Sequence, residues 1–244
     1  MSDPFNGKIP IFPRKTMVLF FIVDTSGSME GKKIGAVNQA IREVLPELKD
    51  MSDDNADSEI KIAVLEFSSG SRWITPPVEP GKYTWRDLDA AGVTDFGHAC
   101  RSLAEKLSVS KGFMSHASGS YAPVLFLLSD GQPVDDWKSG LAELQKNNWY
   151  KFAVKVAIAI GDDADKDVLK EFTGSMEAVM INHDSASLIK MIKEIAVTSS
   201  QVASQGADAT DSNQNAGNPK QGEVNKVIQE VQAETDAAST KTEW

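Results

Sequence analysis

The chain has 244 residues, a formal net charge of −10, 41% hydrophobic and 25% charged residues. That leaves room for one large α/β domain plus a tail, with an ample core and the balance of a soluble globular protein. The acidity argues against nucleic acid as a partner. The single cysteine, Cys100, excludes an internal disulfide or a thiolate zinc cluster, and no apolar run approaches the roughly 18 residues of a membrane span.

The N-terminal stretch MSDPFNGKIPIFPRK lacks the basic-then-apolar order of a secretory signal, so a cytoplasmic location is expected. Pro4, Pro10 and Pro13 exclude a regular helix there, and residues 1–11 are read as an irregular lead. A domain is expected over 12–199. Residues 17–23 (MVLFFIV) form an unbroken apolar run, the pattern of a strand buried on both faces of a parallel sheet. Ile34, Val37, Ile41, Val44 and Leu48 then recur at steps of three and four, the stripe of an amphipathic helix. Pro46 should kink its last turn or end it early, leaving an acidic loop from Asp50 to Glu59.

Ile60–Phe67 reads as a second strand and Arg72–Thr75 as a third. Only Ser68–Ser71 separates them, too short for a parallel crossover, so this pair is expected to be an antiparallel hairpin at a sheet edge, ended by Pro76, Pro77 and Pro80. A helix after Asp95 carries Ala99, Leu103 and Leu107. Val124–Leu128 is another fully apolar strand, ending in Ser129-Asp130-Gly131. A helix capped by Asp135 or Asp136 follows, then a strand over Phe152–Ile160, a short helix capped by Asp163 and closed by Gly174, a strand at Val179–Ile181, and a helix capped by Asp184 or Ser185. Strands alternating with helices predict a doubly wound, mostly parallel six-stranded sheet with one antiparallel edge strand and helices on both faces.

After about Ser199 the composition turns to Gln, Asn, Ser, Ala and Gly, and residues 200–222 read as a disordered polar linker. Within 223–244, Val224, Val227, Ile228 and Val231 keep helical spacing. That predicts a short amphipathic helix, which binds a partner or another copy, or docks on its own domain.

The chemistry gathers where strands end. Asp24, Ser26 and Ser28 stand at alternate positions after the first strand, so in an extended loop their side chains project to one side. Thr94 opens a helix, and Asp130 ends a second apolar strand. Open α/β sheets bind ligands at this carboxyl edge. Two carboxylates and three hydroxyls suit Mg²⁺, with Mn²⁺ or Ca²⁺ as alternatives, because hard cations take oxygen ligands. Each piece alone has a plainer reading: a turn or cap for Asp24, an N-cap for Thr94, a turn dipeptide for Asp130-Gly131. Their shared position in the fold favours the metal.

These positions resemble the metal-ion-dependent adhesion site of von Willebrand factor type A domains. Asp24, Ser26 and Ser28 match its first motif, Thr94 its threonine and Asp130 its second aspartate. The resemblance implies a protein-binding module whose open metal position takes an Asp or Glu from a protein partner. Gly92-Val93-Thr94-Asp95-Phe96-Gly97 and Leu127-Leu128-Ser129-Asp130-Gly131-Gln132-Pro133 are further similar to bacterial TerY-like proteins of tellurite-resistance and stress operons. That likeness implies a scaffold linked to a kinase and a PP2C-type phosphatase. Val93 stands where glycine is usual and Val134 where threonine is common. An enzyme is the main rival, a metal-dependent phosphoryl-transfer catalyst or hydrolase. Yet Gly27–Lys32 is one residue short of a phosphate-binding loop, and His98, His116 and His183 occupy unrelated contexts. A structural interaction domain with incidental metal is the other rival. The expectation is a non-enzymatic adaptor.

Overall fold

The computed structural model describes residues 14–56, 58–182, 184–204 and 219–238. The strands are β1 (Lys15–Asp24), β2 (Ser58–Ser68), β3 (Gly70–Val78), β4 (Val124–Ser129), β5 (Val154–Ile160) and β6 (Val179–Asn182). The helices are α1 (Lys32–Asp54), α2 (Phe96–Lys106), α3 (Trp137–Gln145), α4 (Asn148–Phe152), α5 (Lys166–Thr173), α6 (Ser185–Ser204) and α7 (Pro219–Ala238). The sheet order is β3-β2-β1-β4-β5-β6. Only β3 is antiparallel to its neighbour. This is the doubly wound, mostly parallel six-stranded sheet expected from the sequence.

Side-chain alternation along β1 explains why the run from Met17 to Val23 has no polar gap. Met17, Leu19, Phe21 and Val23 join a core with α1, α6 and α7. Val18, Phe20 and Ile22 join a second core with α2, α3, α4 and α5. Phe21 stacks on Phe126 of β4 at 5.7 Å between ring centres. Strand order reverses between β1 and β4, since β2 and β3 lie to one side and β5 and β6 to the other. At such a switch point the loops leaving adjacent strands diverge, which opens a crevice at the carboxyl edge.

Several boundaries differ from the sequence expectation. Helix α1 continues past Pro46 to Asp54. One proline removes one backbone donor, while burial of Val44, Leu45 and Leu48 around it anchors the final turns. The acidic segment is therefore largely helical, and Ser52 at its end accepts the Ile60 N–H at 2.9 Å. Strand β3 runs through Pro76 and Pro77 to Val78, which pairs with Ile62 across a register shift. An edge strand needs no donor on its outer side, so the prolines are tolerated there. Phe152 ends α4 and is half exposed, and β5 starts only at Val154. Asn147 caps α4 by accepting the N–H groups of Trp149 and Tyr150. Asp165, not Asp163, caps α5. Gly174 closes it in the left-handed conformation (φ 83°), as glycine permits.

The tail differs most. Helix α6 extends to Ser204, and α7 spans 20 residues rather than a short segment. Val224, Ile228 and Val231 are buried in the core shared with α1 and α6, so the apolar stripe is used within the chain. Two glutamines fix α7 to the sheet. Gln221 accepts the Lys155 N–H at 2.7 Å and donates to the Lys155 carbonyl at 2.9 Å. Gln232, about three turns on, does the same with Ile181, at 2.8 and 3.1 Å. Each amide is steadied by the residue four positions later, Asn225 or Asp236. An edge strand left open invites pairing with other chains. Here side-chain amides pair with Ile181 on the edge strand β6 and with Lys155 on β5, ahead of the point where β6 begins to pair. The remainder of the expected linker, 205–218, and residues 239–244 lie outside the described residues. Among the described residues no helix is long and apolar enough to cross a membrane.

If α7 belongs to the domain, Ile228→Ala lowers unfolding free energy by about 2–5 kcal/mol, the usual cost of emptying such a site. Glu230→Ala, on the exposed side of the same helix, changes it by less than about 0.5 kcal/mol. Urea denaturation distinguishes them, and equal midpoints for the two variants would show that α7 does not contribute to the folded unit.

Candidate metal centre

Three loops meet above the β1–β4 crevice. The first leaves β1. Asp24 is fully buried; its Oδ1 accepts the Ser26 N–H at 2.9 Å and its Oδ2 accepts the Ser129 hydroxyl at 2.6 Å. The second contact follows from register, because Val23 of β1 lies beside Leu128 of β4. Ser26, 1% exposed, precedes a single 3-10 turn at Gly27–Met29. That turn brings the exposed Ser28 hydroxyl to 3.0 Å from the Ser26 hydroxyl.

The second loop carries Thr94, which is buried. Gly27 donates to the Gly92 carbonyl at 3.0 Å and Ala91 donates to the Thr25 carbonyl at 2.8 Å, so this loop lies directly on the first. Gly92 has φ +87°, a conformation that favours glycine, and a Cβ there would make the Ser69 hydroxyl, 2.6 Å away, turn aside. The Thr94 carbonyl accepts the Val134 N–H at 3.0 Å, which ties the loop to the third one.

The third loop follows β4. Asp130 is fully buried, and neither of its carboxylate oxygens has a hydrogen-bond partner among the described residues. Lys33 Nζ is 3.6 Å from Oδ2. The turn itself is firmly held: Asp165 donates to the Asp130 carbonyl at 2.7 Å, and Gly131 donates to Ser129 Oγ at 2.8 Å.

The structure thus joins Asp24, Ser26 and Ser28 by hydrogen bonds and sets Asp130 beside them on the neighbouring strand end. Thr94 lies on the loop bonded to both of the others. Two further residues contact these aspartates, and sequence reasoning assigned neither to the site. Ser129 bridges Asp24 and the Asp130 turn, and Lys33 supplies charge. Ser129 stood in view next to Asp130, but only strand register shows that it reaches Asp24. Of the histidines, His98 is exposed with Nδ1 at 2.8 Å from Ser71 Oγ, while His183 lies outside the described residues.

The donor set fits a hard divalent cation. Burying two carboxylates side by side costs free energy unless positive charge compensates them. Burial, reinforced slightly by the charge of Asp130, pushes the Asp24 carboxyl up to about 6, against the opposing hydrogen bonds from Ser129 and Ser26. Asp130 has two buried oxygens with nothing donating to them. Among the described residues no three His, Cys, Asp or Glu side chains cluster to hold a metal. An ion at this rim would therefore depend on the hydroxyls of Ser26, Ser28 and Thr94.

The raised Asp24 carboxyl has a measurable consequence. Its ordinary value is 3.8, so between about pH 4 and 6 the folded chain holds more protons than the unfolded one. Without metal, this group's contribution to stability therefore falls as pH rises through that window. Unfolding in EDTA should show that slope, and Asp24→Asn should flatten it; identical slopes would mean that Asp24 titrates as an ordinary surface carboxylate.

Comparison with known proteins places the fold. Residues 19–194 match the family model of the von Willebrand factor type A domain. The chain is 28% identical over 199 residues to inter-alpha-trypsin inhibitor heavy chain H2 of Mus musculus, covering 70% of this chain and 19% of that protein. The Mesocricetus auratus protein matches equally, so the chain spans only a fifth of these relatives' length (19%). Among solved structures, it is similar to mussel byssus proximal thread matrix protein 1 with a zinc-occupied MIDAS motif (15% identity, TM-score 0.56, 75% of this chain and 48% of that one). It is also similar to a von Willebrand factor type A protein from Catenulispora acidiphila (20% identity, TM-score 0.53, 76% and 42%). The chain belongs to the von Willebrand factor type A domain family.

Proposed function

We propose that this domain is a metal-dependent protein-binding adaptor, capturing a partner's Asp or Glu through a divalent cation at the β1–β4 crevice. The observation that carries the reading is the pair of buried carboxylates, Asp24 and Asp130, the second with both oxygens unpartnered by any donor. Ser26, Ser28 and Thr94 would supply hydroxyl oxygens, and the two aspartates would supply charge. An all-oxygen set favours Mg²⁺ or Mn²⁺, with Ca²⁺ as an alternative. When bound, the ion supplies a coordination position that a carboxylate from outside can fill.

The chain's own residues do the rest. The Ser26 N–H and the Ser129 hydroxyl orient Asp24. Hydroxyl ligands add no charge, so two carboxylates only balance a divalent ion and leave it attractive to a third. An acidic chain of net charge −10 is otherwise poorly suited to attract acidic ligands, so recognition falls to the ion itself. No bond is made or broken in this reading, which is of a binding module rather than an enzyme. The motif resemblance extends the proposal to a cytoplasmic setting in a bacterial stress or tellurite-resistance system, beside a kinase and a PP2C-type phosphatase.

Affinity capture from the native cell tests it. Partners should be retained in Mg²⁺, released by EDTA, and lost by at least about tenfold with Thr94→Ala, the removal of one polar contact in a water-poor site. Equal capture in all three conditions would mean that binding does not use this centre.

A further inference from the structure

Lys33 is placed at the centre by more than one contact. It lies in the first turn of α1, with its side chain only 14% exposed. Its Nζ is 2.9 Å from Asp163 Oδ1 and 3.6 Å from Asp130 Oδ2. Asp163 is on the loop after β5 and is 63% exposed. That loop is tied to the Asp130 turn, because Gln132 donates to the Asp163 carbonyl at 2.8 Å. Gly161, whose φ of +94° suits glycine, lies beside the ammonium. A Cβ there would lie 2.6 Å from Lys33 Cε, 2.8 Å from Nζ and 2.8 Å from Asp163 Oδ1. Three separate segments, α1, the Asp130 turn and the loop after β5, thus meet at one charge.

We propose that Lys33 is a built-in competitor for the cation site, its ammonium group compensating the charge of Asp130 from its seat on Asp163 and opposing a divalent ion there by like charge. The assignment rests on the metal reading of the site. At 3.6 Å the ammonium compensates Asp130 by charge but makes no hydrogen bond to it, so the carboxylate oxygens stay available. Asp163 already holds the ammonium, accepting a hydrogen bond from it at 2.9 Å on the side nearer to solvent. Lys33 therefore lowers cation affinity while sparing the metal-free fold a naked buried carboxylate. Asp163 works in the opposite direction, by drawing the ammonium outward. Lys33 is in this sense a positioning residue that sets the ion concentration at which the site fills.

Calorimetric titration of MnCl₂ into the chelator-stripped full chain tests the assignment, with thermal midpoints in EDTA measured alongside. Lys33→Met should bind Mn²⁺ roughly three- to thirtyfold more tightly, since a like charge close to the ion is removed. Its EDTA midpoint should fall. Lys33→Arg should stay near the parent in both. Asp163→Asn should weaken Mn²⁺ binding, and most of that loss should disappear in the Lys33→Met background. Unchanged or weaker binding by Lys33→Met, or an Asp163→Asn effect equally large in both backgrounds, overturns the proposal. If the parent chain takes up no Mn²⁺, the metal reading fails by itself. Lys33 is then judged on the EDTA midpoint, where loss in Lys33→Met and retention in Lys33→Arg support compensation of Asp130, and equal midpoints refute it.

Discussion

Two aspartates buried together at the ends of neighbouring parallel strands are the constraint around which this molecule is built. Asp24 closes β1 and Asp130 follows β4, both fully buried at the point where strand order reverses. A fold that places paired carboxylates at such a point must compensate them or lose stability. It does so by degrees here. The Ser26 N–H and the Ser129 hydroxyl serve Asp24. Among the described residues Asp130 receives the longer-range charge of Lys33 and no hydrogen bond, which is the observation the proposed cation rests on.

The rest of the fold can be understood as the means of holding that arrangement still. β1 and β4 are buried on both faces, so neither strand can slip without moving a full set of apolar side chains. The loops above are tied to one another by backbone hydrogen bonds, through Gly27 to Gly92 and Val134 to Thr94. The far edge is closed by α7, whose glutamines pair with strand backbone at Lys155 and Ile181. Contacts of this kind cover strand backbone that would otherwise be open to pairing with other chains.

The apolar runs that end in Asp24 and Asp130 were visible in the sequence because a doubly buried strand has no alternation to disguise it. The hairpin of β2 and β3 followed from the shortness of its connection. What escaped detection depended on three-dimensional neighbours. Five-residue α4 is too short to show a period. The continuation of α1 beyond Pro46 depends on burial of Leu45 and Leu48, which a local rule does not include. The apolar stripe of α7 was visible, with docking on its own domain as one of its possible fates, but the backbone pairing of Gln221 and Gln232 was not, since glutamine carries no such signal in a sequence. Within the site, Asp24, Ser26 and Ser28 are linked through local spacing, which a sequence displays. Ser129 and Lys33 act across β1–β4 register and across the gap between α1 and the loop after β5, which it does not.

The most direct test of the central claim is a crystal structure of the full chain grown with MnCl₂, with anomalous scattering recorded to locate the ion. The account predicts one strong peak within coordination distance of the Ser26, Ser28 and Thr94 hydroxyls and beside the carboxylates of Asp24 and Asp130. A well-ordered crevice in which those hydroxyls turn away from one another and no peak lies between the two aspartates would contradict it.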